Sequence, residues 1–324
     1  MSLDSDVIVD RRRIRRKLTF WRVTAALVAI AAIVGVGLIA SGGRMFAPTG
    51  AIARVTIEGL IRSDQERVEA LKRLETSQYA AVIVHVNSPG GTTAGSEQLY
   101  DSLVQLKAKK PLVVVVEGLA ASGGYITAIA ADHIVAQQTS LVGSIGVLFQ
   151  FPNFTELLKT VGVKVEEVKS SPLKAAPNGF EPTSPEAREA LDSLVKDSYA
   201  WFRGLVKDRR GMDDALLAKV ADGRVFTGRQ AVELKLIDQL GDEKTAVAWL
   251  VAQKGVKADL PVRDYKLSPR FGDLTFLRTA AAFTFDALGL SAIARHIEQT
   301  GMAQAADRLG LEGMLALWHP AAPN

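Results

Sequence analysis

The sequence predicts an α/β fold built on a mainly parallel sheet, preceded by one N-terminal transmembrane helix. Three observations carry this. Two nearly continuous apolar runs, AAVIVHV (Ala80–Val86) and LVVVV (Leu112–Val116), read as strands buried on both faces. Each is followed by a glycine-rich turn and then a helical pattern, the order expected of parallel strands joined by crossovers. A charge-free stretch of 18 residues, Val23–Ala40, precedes them and is long enough to cross a bilayer.

The basic cluster Arg11–Lys17 lies before that stretch and only Arg44 lies close after it. The positive-inside rule then keeps residues 1–22 in the cytoplasm as a basic tail and exports the remainder. Phe20 and Trp21 stand where aromatic rings favour the interface. Met45-Phe46-Ala47 is a poor small-x-small cleavage site, so residues 23–40 read as a retained anchor rather than a signal peptide. Residues 41–52 read as a linker. Residues 1–44 hold eight basic and three acidic side chains, and the rest holds 31 basic and 32 acidic. The positive net charge therefore belongs to the tail, and the nearly neutral body lacks the basic stripe of a nucleic-acid binder. With no Cys, disulfides, thiol nucleophiles and Cys-ligated metals are excluded.

In the body, residues 53–255, Arg54–Ile57 alternates as a strand and Asp64–Leu74 is helical. Helices are predicted at Thr92–Lys107, Gly124–Ala131 and Asn153–Val161, with short strands at Ile134–Ala136, Val147–Phe149 and Val163–Val168. Pro185–Arg210 forms a long amphipathic helix opened by Ser184 as N-cap and Pro at the first helical position. Asp213–Ala221, Gly228–Leu234 and Glu243–Lys254 complete the set. Residues 256–324 read as an apolar, helical extension of open role, Leu274–Leu290 and Leu311–His319 being apolar enough to need covering.

The chemistry concentrates in the two turns. Val86 runs into Asn87-Ser88-Pro89-Gly90-Gly91, and Val116 runs into Glu117-Gly118-Leu119-Ala120-Ala121-Ser122-Gly123-Gly124. Sites in parallel α/β sheets lie beyond the carboxyl ends of strands, so the two turns are expected at one crevice. Glycine permits close backbone approach, and a helix start offers unpaired N–H groups. Two such donors facing one oxygen form an oxyanion hole, with Ser122 beside it as a nucleophile. The plainer alternative is turn chemistry with Ser122 as an N-cap. The turns match neither GxSxG nor a phosphate loop.

The residues alone leave the base open. His85 sits inside an apolar strand as a core residue, His133 begins a strand, and His296 and His319 lie in the tail. A lysine serves only when neutral, which burial favours. Lys159, Lys164, Lys169 and Lys174 are available, of which Lys174 lies in the irregular segment KSSPLK.

With VNSPGG (Val86–Gly91), ASGGY (Ala121–Tyr125), GSIGV (Gly143–Val147), KSSPLK (Lys169–Lys174) and ADGRVFTGRQA (Ala221–Ala231) in this order, the chain resembles the bacterial signal peptide peptidase A family in its short form. These are membrane-bound serine–lysine peptidases. The resemblance covers about Arg54 to Gln253. It implies a Clp-protease/crotonase-like fold, Ser122 as nucleophile, Lys174 as base, Ser144 orienting the lysine, and the N–H groups of Gly91 and Gly123 as oxyanion donors. It implies no cofactor, a homo-oligomeric ring in which Ser and Lys of one site can come from neighbouring protomers, and hydrophobic peptides such as remnant signal peptides as substrates. The place implied is the bacterial cytoplasmic membrane, with the catalytic domain outside. A crotonase-type acyl-CoA enzyme and a non-catalytic oligomeric scaffold are the competing functions. The first needs neither Ser122 nor Lys174, and the second would leave Ser122 unreactive toward acylating probes.

Overall fold

The computed structural model describes residues 50–267, the strand Leu315–Leu317 and, near the N-terminus, Lys17, Phe20, Trp21 and Thr24. The chain falls into two units, Met1–Thr49 and Gly50–Asn324. In the first, the four described residues are helical, and Phe20 and Trp21 meet edge to face. Among the described residues no helix is long and apolar enough to cross a membrane; the expected span Val23–Ala40 lies outside them apart from Thr24.

The second unit opens with strand β1 (Ile52–Ile61), helix α1 (Gln65–Glu75), β2 (Ala81–Thr92), α2 (Thr93–Lys107), β3 (Leu112–Ala121) and α3 (Gly123–Ala128). Then come β4 (His133–Ala136), β5 (Leu141–Gly143), α4 (Thr155–Thr160), α5 (Pro185–Arg210) and α6 (Asp214–Val220). β6 (Val225–Thr227), α7 (Gly228–Glu233), β7 (Gln239–Leu240), α8 (Glu243–Lys254), β8 (Val262–Asp264) and β9 (Leu315–Leu317) close the described order.

β1, β2 and β3 lie side by side in parallel, with β8 parallel on the outer edge of β1. β3 forks: Val113–Val116 pair with β4, and Leu119–Ala121 pair with β5. Among the described pairings only β5 with β6 and β2 with β9 are antiparallel. The sheet is filled on both faces by the alternation of its strands. Val82, Val84, Val86, Val114 and Val116 share one core with Leu99, Leu103 and Leu106 of α2 and with Ile126 of α3. Ile83, Val113, Val115 and Val135 share another with Ala246 and Leu250 of α8.

Three expectations are corrected. Val163–Val168 forms no strand: among the described residues its alternating valines find no pairing partner, and Val163, Val165 and Val168 are exposed. Val147–Phe149 holds a single bridge residue, and the strand of that region lies earlier, at Leu141–Gly143, where it completes the fork of β3. Leu315–Leu317, expected to be helical, is a strand on β2; the rest of 268–324 lies outside the described residues. The sheet also continues past residue 255, since β8 pairs with the start of β1.

Candidate active site

Ser122 stands where β3 ends and α3 begins. Its φ of 54° and ψ of −116° belong to a region that side-chain-bearing residues seldom occupy. The backbone around it accounts for that geometry. Its N–H donates to the Gly143 carbonyl at 2.8 Å, and its own carbonyl accepts the N–H groups of Tyr125 and Ile126 at 2.9 and 3.0 Å. The N-cap alternative does not describe it. Asp64, Thr92, Ser184, Asp213, Thr227 and Asp242 all precede helices with extended backbones and side chains that accept a capping N–H. Ser122 has neither feature, and among the described residues nothing hydrogen-bonds its hydroxyl.

The two glycine turns meet as expected. Ser88 pairs with Ala120, and a Cβ on Gly124 would lie 2.5 Å from the Ser88 carbonyl oxygen, so only glycine lets α3 settle on the turn. Gly91 is as confined: a Cβ there would lie 1.7 Å from the Ile61 carbonyl oxygen of β1. Gly123 is the first residue of α3, and the N–H of that position has no intrahelical acceptor.

Ser144 joins this cluster through the fork. Ala121 and Gly143 form the last pair of β3 and β5, so Ser122 and Ser144 follow at the same level on neighbouring strands, whose axes lie about 4.8 Å apart. Ser144 also has a left-handed φ, 51°, and its N–H donates to the Arg224 carbonyl at 2.8 Å. Both serines are buried.

The structure does not bring Lys174 to Ser122. Lys174 is exposed in the strap between β5 and α5, and among the described residues its amine has no hydrogen bond or ion pair. Four of the other candidate bases, Lys159, Lys169, His85 and His133, are engaged elsewhere. Lys169 is held between Glu167 and Glu181, whose carboxylates raise its pKa and keep it an ammonium. Lys159 is exposed and pairs with Glu156. Lys164 is exposed on the same strap. His85 is indeed a satisfied core residue: its ring nitrogens lie 2.8 Å from Glu117 and from Glu243. It shares the strand face of Ile83, which packs on α8, whereas α3 packs on the opposite face. His133 is level with Val113, about 30 Å along β3 from Ser122. It stacks on Trp249 at 4.6 Å, and burial lowers its pKa. His296 and His319 lie outside the described residues.

Two positioning residues were not singled out from sequence. Ser88 Oγ donates to the Gly59 carbonyl at 2.6 Å and accepts the Gly90 N–H at 3.1 Å, which pins the turn to β1. Tyr125, fully buried, donates from its hydroxyl to the Leu236 carbonyl at 2.8 Å and ties α3 to the end of α7. Burial pushes that phenol well above its ordinary range, so it stays a donor. Both belong to VNSPGG and ASGGY, the signal that could have found them.

A family description for peptidase family S49 matches residues 104–257, and one for Clp protease matches residues 52–140. The protein slr0021 of Synechocystis sp., a protease by name, is 37% identical over 210 residues, 64% of this chain and 76% of that protein. The chain belongs to peptidase family S49. A peptidase is therefore the enzyme class that the family carries. The chain is also similar to a protein of Enterococcus faecium named for signal peptide peptidase SppA, 32% identical over 62% of this chain and 59% of that protein. Protease 4 of Haemophilus influenzae is 30% identical over 67% of this chain but only 37% of its own length. The mixed α/β sheet fits the Clp-protease-like architecture.

Proposed function

We propose that the protein is a serine endopeptidase with a Ser122/Lys174 dyad, anchored in the bacterial cytoplasmic membrane through residues 23–40 and acting outside the cytoplasm on hydrophobic peptides. The observation that carries the proposal is the meeting of Ser122 and Ser144 at one level, both in left-handed backbone, beside the packed Gly90-Gly91 and Gly123-Gly124 turns. A buried, strained serine with an unused hydroxyl is costly for a fold that needs only a turn.

In this mechanism Lys174 enters from a neighbouring protomer. The strap supports that arrangement. Phe154, Leu157, Val161, Val163, Val165, Val168, Leu173 and Phe180 are all exposed in the single chain, and most exposed large apolar side chains of the described residues lie on it. A second copy that covers them would place Lys174 inside a contact between subunits. Once there, the neutral amine takes the Ser122 proton as Oγ attacks the peptide carbonyl. The Gly91 and Gly123 N–H groups hold the oxyanion, and Ser144 orients the amine. The ammonium then protonates the leaving nitrogen, and the restored amine activates water for deacylation. Signal peptides left in the membrane after processing suit an anchored enzyme of this kind as substrates.

The test is labelling with a serine-reactive fluorophosphonate. Wild-type protein is expected to gain one adduct per chain at Ser122, and Ser122→Ala none. An unlabelled wild type, assembled and folded, would overturn the assignment.

A further inference from the structure

The strap that carries Lys174 has little regular structure to hold it. Between α4 and α5 no residue belongs to a helix or strand. Among the described residues, the backbone N–H groups of 164–184 make two bonds to other backbone groups: Lys174 to the Ser171 carbonyl at 3.1 Å and Ala176 to the Leu173 carbonyl at 3.3 Å. The chain nonetheless turns sharply there, with Ala175 at a left-handed φ of 57°. Four side-chain-bearing residues among those described have such a φ: Ser122, Ser144, Ala175 and Lys235. Three of these four stand at, or next to, the residues assigned to the dyad and its orienting serine. A backbone of that kind persists only where its surroundings fix it.

At the base of this loop stands a group that the proposed mechanism does not use. Every residue from 161 to 175 is exposed except Lys169, whose side chain is 17% exposed. Its ammonium lies 2.7 Å from a Glu167 oxygen and 2.5 Å from a Glu181 oxygen. Asn178 donates to both carboxylates, at 3.2 Å in each case. The side-chain carbonyl of Asn178 accepts the N–H groups of Phe180 and Glu181 at 2.9 and 3.2 Å. One residue on, the Gly179 carbonyl accepts the Phe154 N–H at 2.8 Å. The far end of the loop is thus fixed to the start of α4, and Lys169 ties the near end to it. Lys174 lies midway along the span so closed. A lone surface ion pair contributes little. Here one ammonium and one amide share the same two carboxylates, so each member of the network restrains the others.

We propose that Lys169, with Glu167, Asn178 and Glu181, is the clasp that closes the Lys174 loop and fixes where its amine is presented. Lys169 is then a positioning residue for the proton transfer. That role rests on the Ser122/Lys174 function proposed above; the clasp itself does not. The stakes are large, because a reacting group misplaced by about 1 Å can lose about 100-fold in rate.

The full chain, assembled in detergent, is compared with Lys169→Met, Lys169→Arg, Glu181→Gln and Lys174→Ala, thermal melting serving to check the fold. Lys169→Met should exchange the amides of residues 170–178 severalfold faster. It should hydrolyse an apolar peptide ester with kcat about 10–100-fold lower and KM unchanged, because the clasp holds the base and not the substrate. Glu181→Gln should move both readings in the same direction. Lys169→Arg keeps the charge and can bridge both carboxylates, so it should restore both. Unchanged exchange in Lys169→Met overturns the clasp, as does a loss in Lys169→Arg equal to that in Lys169→Met. Faster exchange with kcat unchanged, or with the loss in KM alone, overturns the positioning role. Lys174→Ala separates the two claims. If it hydrolyses the ester at the wild-type rate, the dyad falls, and the exchange result still decides the clasp.

Discussion

Co-assembly of two inactive variants tests where the dyad comes from. Ser122→Ala removes the nucleophile and Lys174→Ala removes the amine, and each alone is expected to be inert. Lys174 is exposed, Ser122 is buried, and among the described residues no hydrogen bond joins them within one chain. If the strap of one subunit completes the site of the next, a mixed ring regains intact sites. A working site then needs a Ser122 from the Lys174→Ala copy beside a Lys174 from the Ser122→Ala copy. Each is drawn with a chance of about one half in a head-to-tail ring of equal mixture, giving about one quarter of wild-type specific activity. Sites completed within one chain would regain nothing. The two variants are co-expressed with different tags, doubly purified so that every ring is mixed, and assayed for hydrolysis of an apolar peptide ester. A mixed ring no more active than either parent, with both tags present, refutes the reasoning.

Other consequences concern the scaffold. Gly91→Ala and Gly124→Ala should each destabilise the fold by about 1–3 kcal/mol or more, because the new Cβ would lie 1.7 Å and 2.5 Å from carbonyl oxygens; thermal melting checks this. Tyr125→Phe leaves the Leu236 carbonyl without its buried donor and should cost about 1–3 kcal/mol in denaturant titration. The side-chain hydrogen bond from Arg54 holds Glu243 below the ordinary carboxylate range, with His85 adding to it. Its contribution is present above the unfolded pKa and is lost as pH falls through the lower folded value. Glu243→Gln should therefore narrow the gap in stability between neutral and acidic pH, as read from melting midpoints across that range. Ser144→Ala should reduce kcat and leave the fold intact, since the Ser144 backbone bond to Arg224 does not need the hydroxyl.

Much of the sheet was legible because AAVIVHV and LVVVV are nearly continuous apolar runs bounded by glycine turns, and the long helix Pro185–Arg210 carries an apolar stripe. Ser184 marked a helix start by chemistry that acts locally, and its side chain does accept the Ala187 N–H. What failed depended on partners. Val163–Val168 has the alternation of a strand, yet a strand exists only when another lends it hydrogen bonds. Leu315–Leu317 has the composition of a helix and becomes a strand because an open edge awaits it. β5 is three residues long and too brief to show a period, although it brings Ser144 to Ser122. Lys174 was beyond physical reading for the same reason: among the described residues it is exposed and its amine has no partner.

The exposed strap has a bearing on how such an enzyme is kept safe. Under the proposed function, a newly made copy carries its alcohol and its amine in separate places, and would need neither a propeptide nor an inhibitor while it matures. On the same proposal, crowding of copies in the bilayer would arm it and dilution would disarm it, so that membrane abundance would set the pace of cleavage.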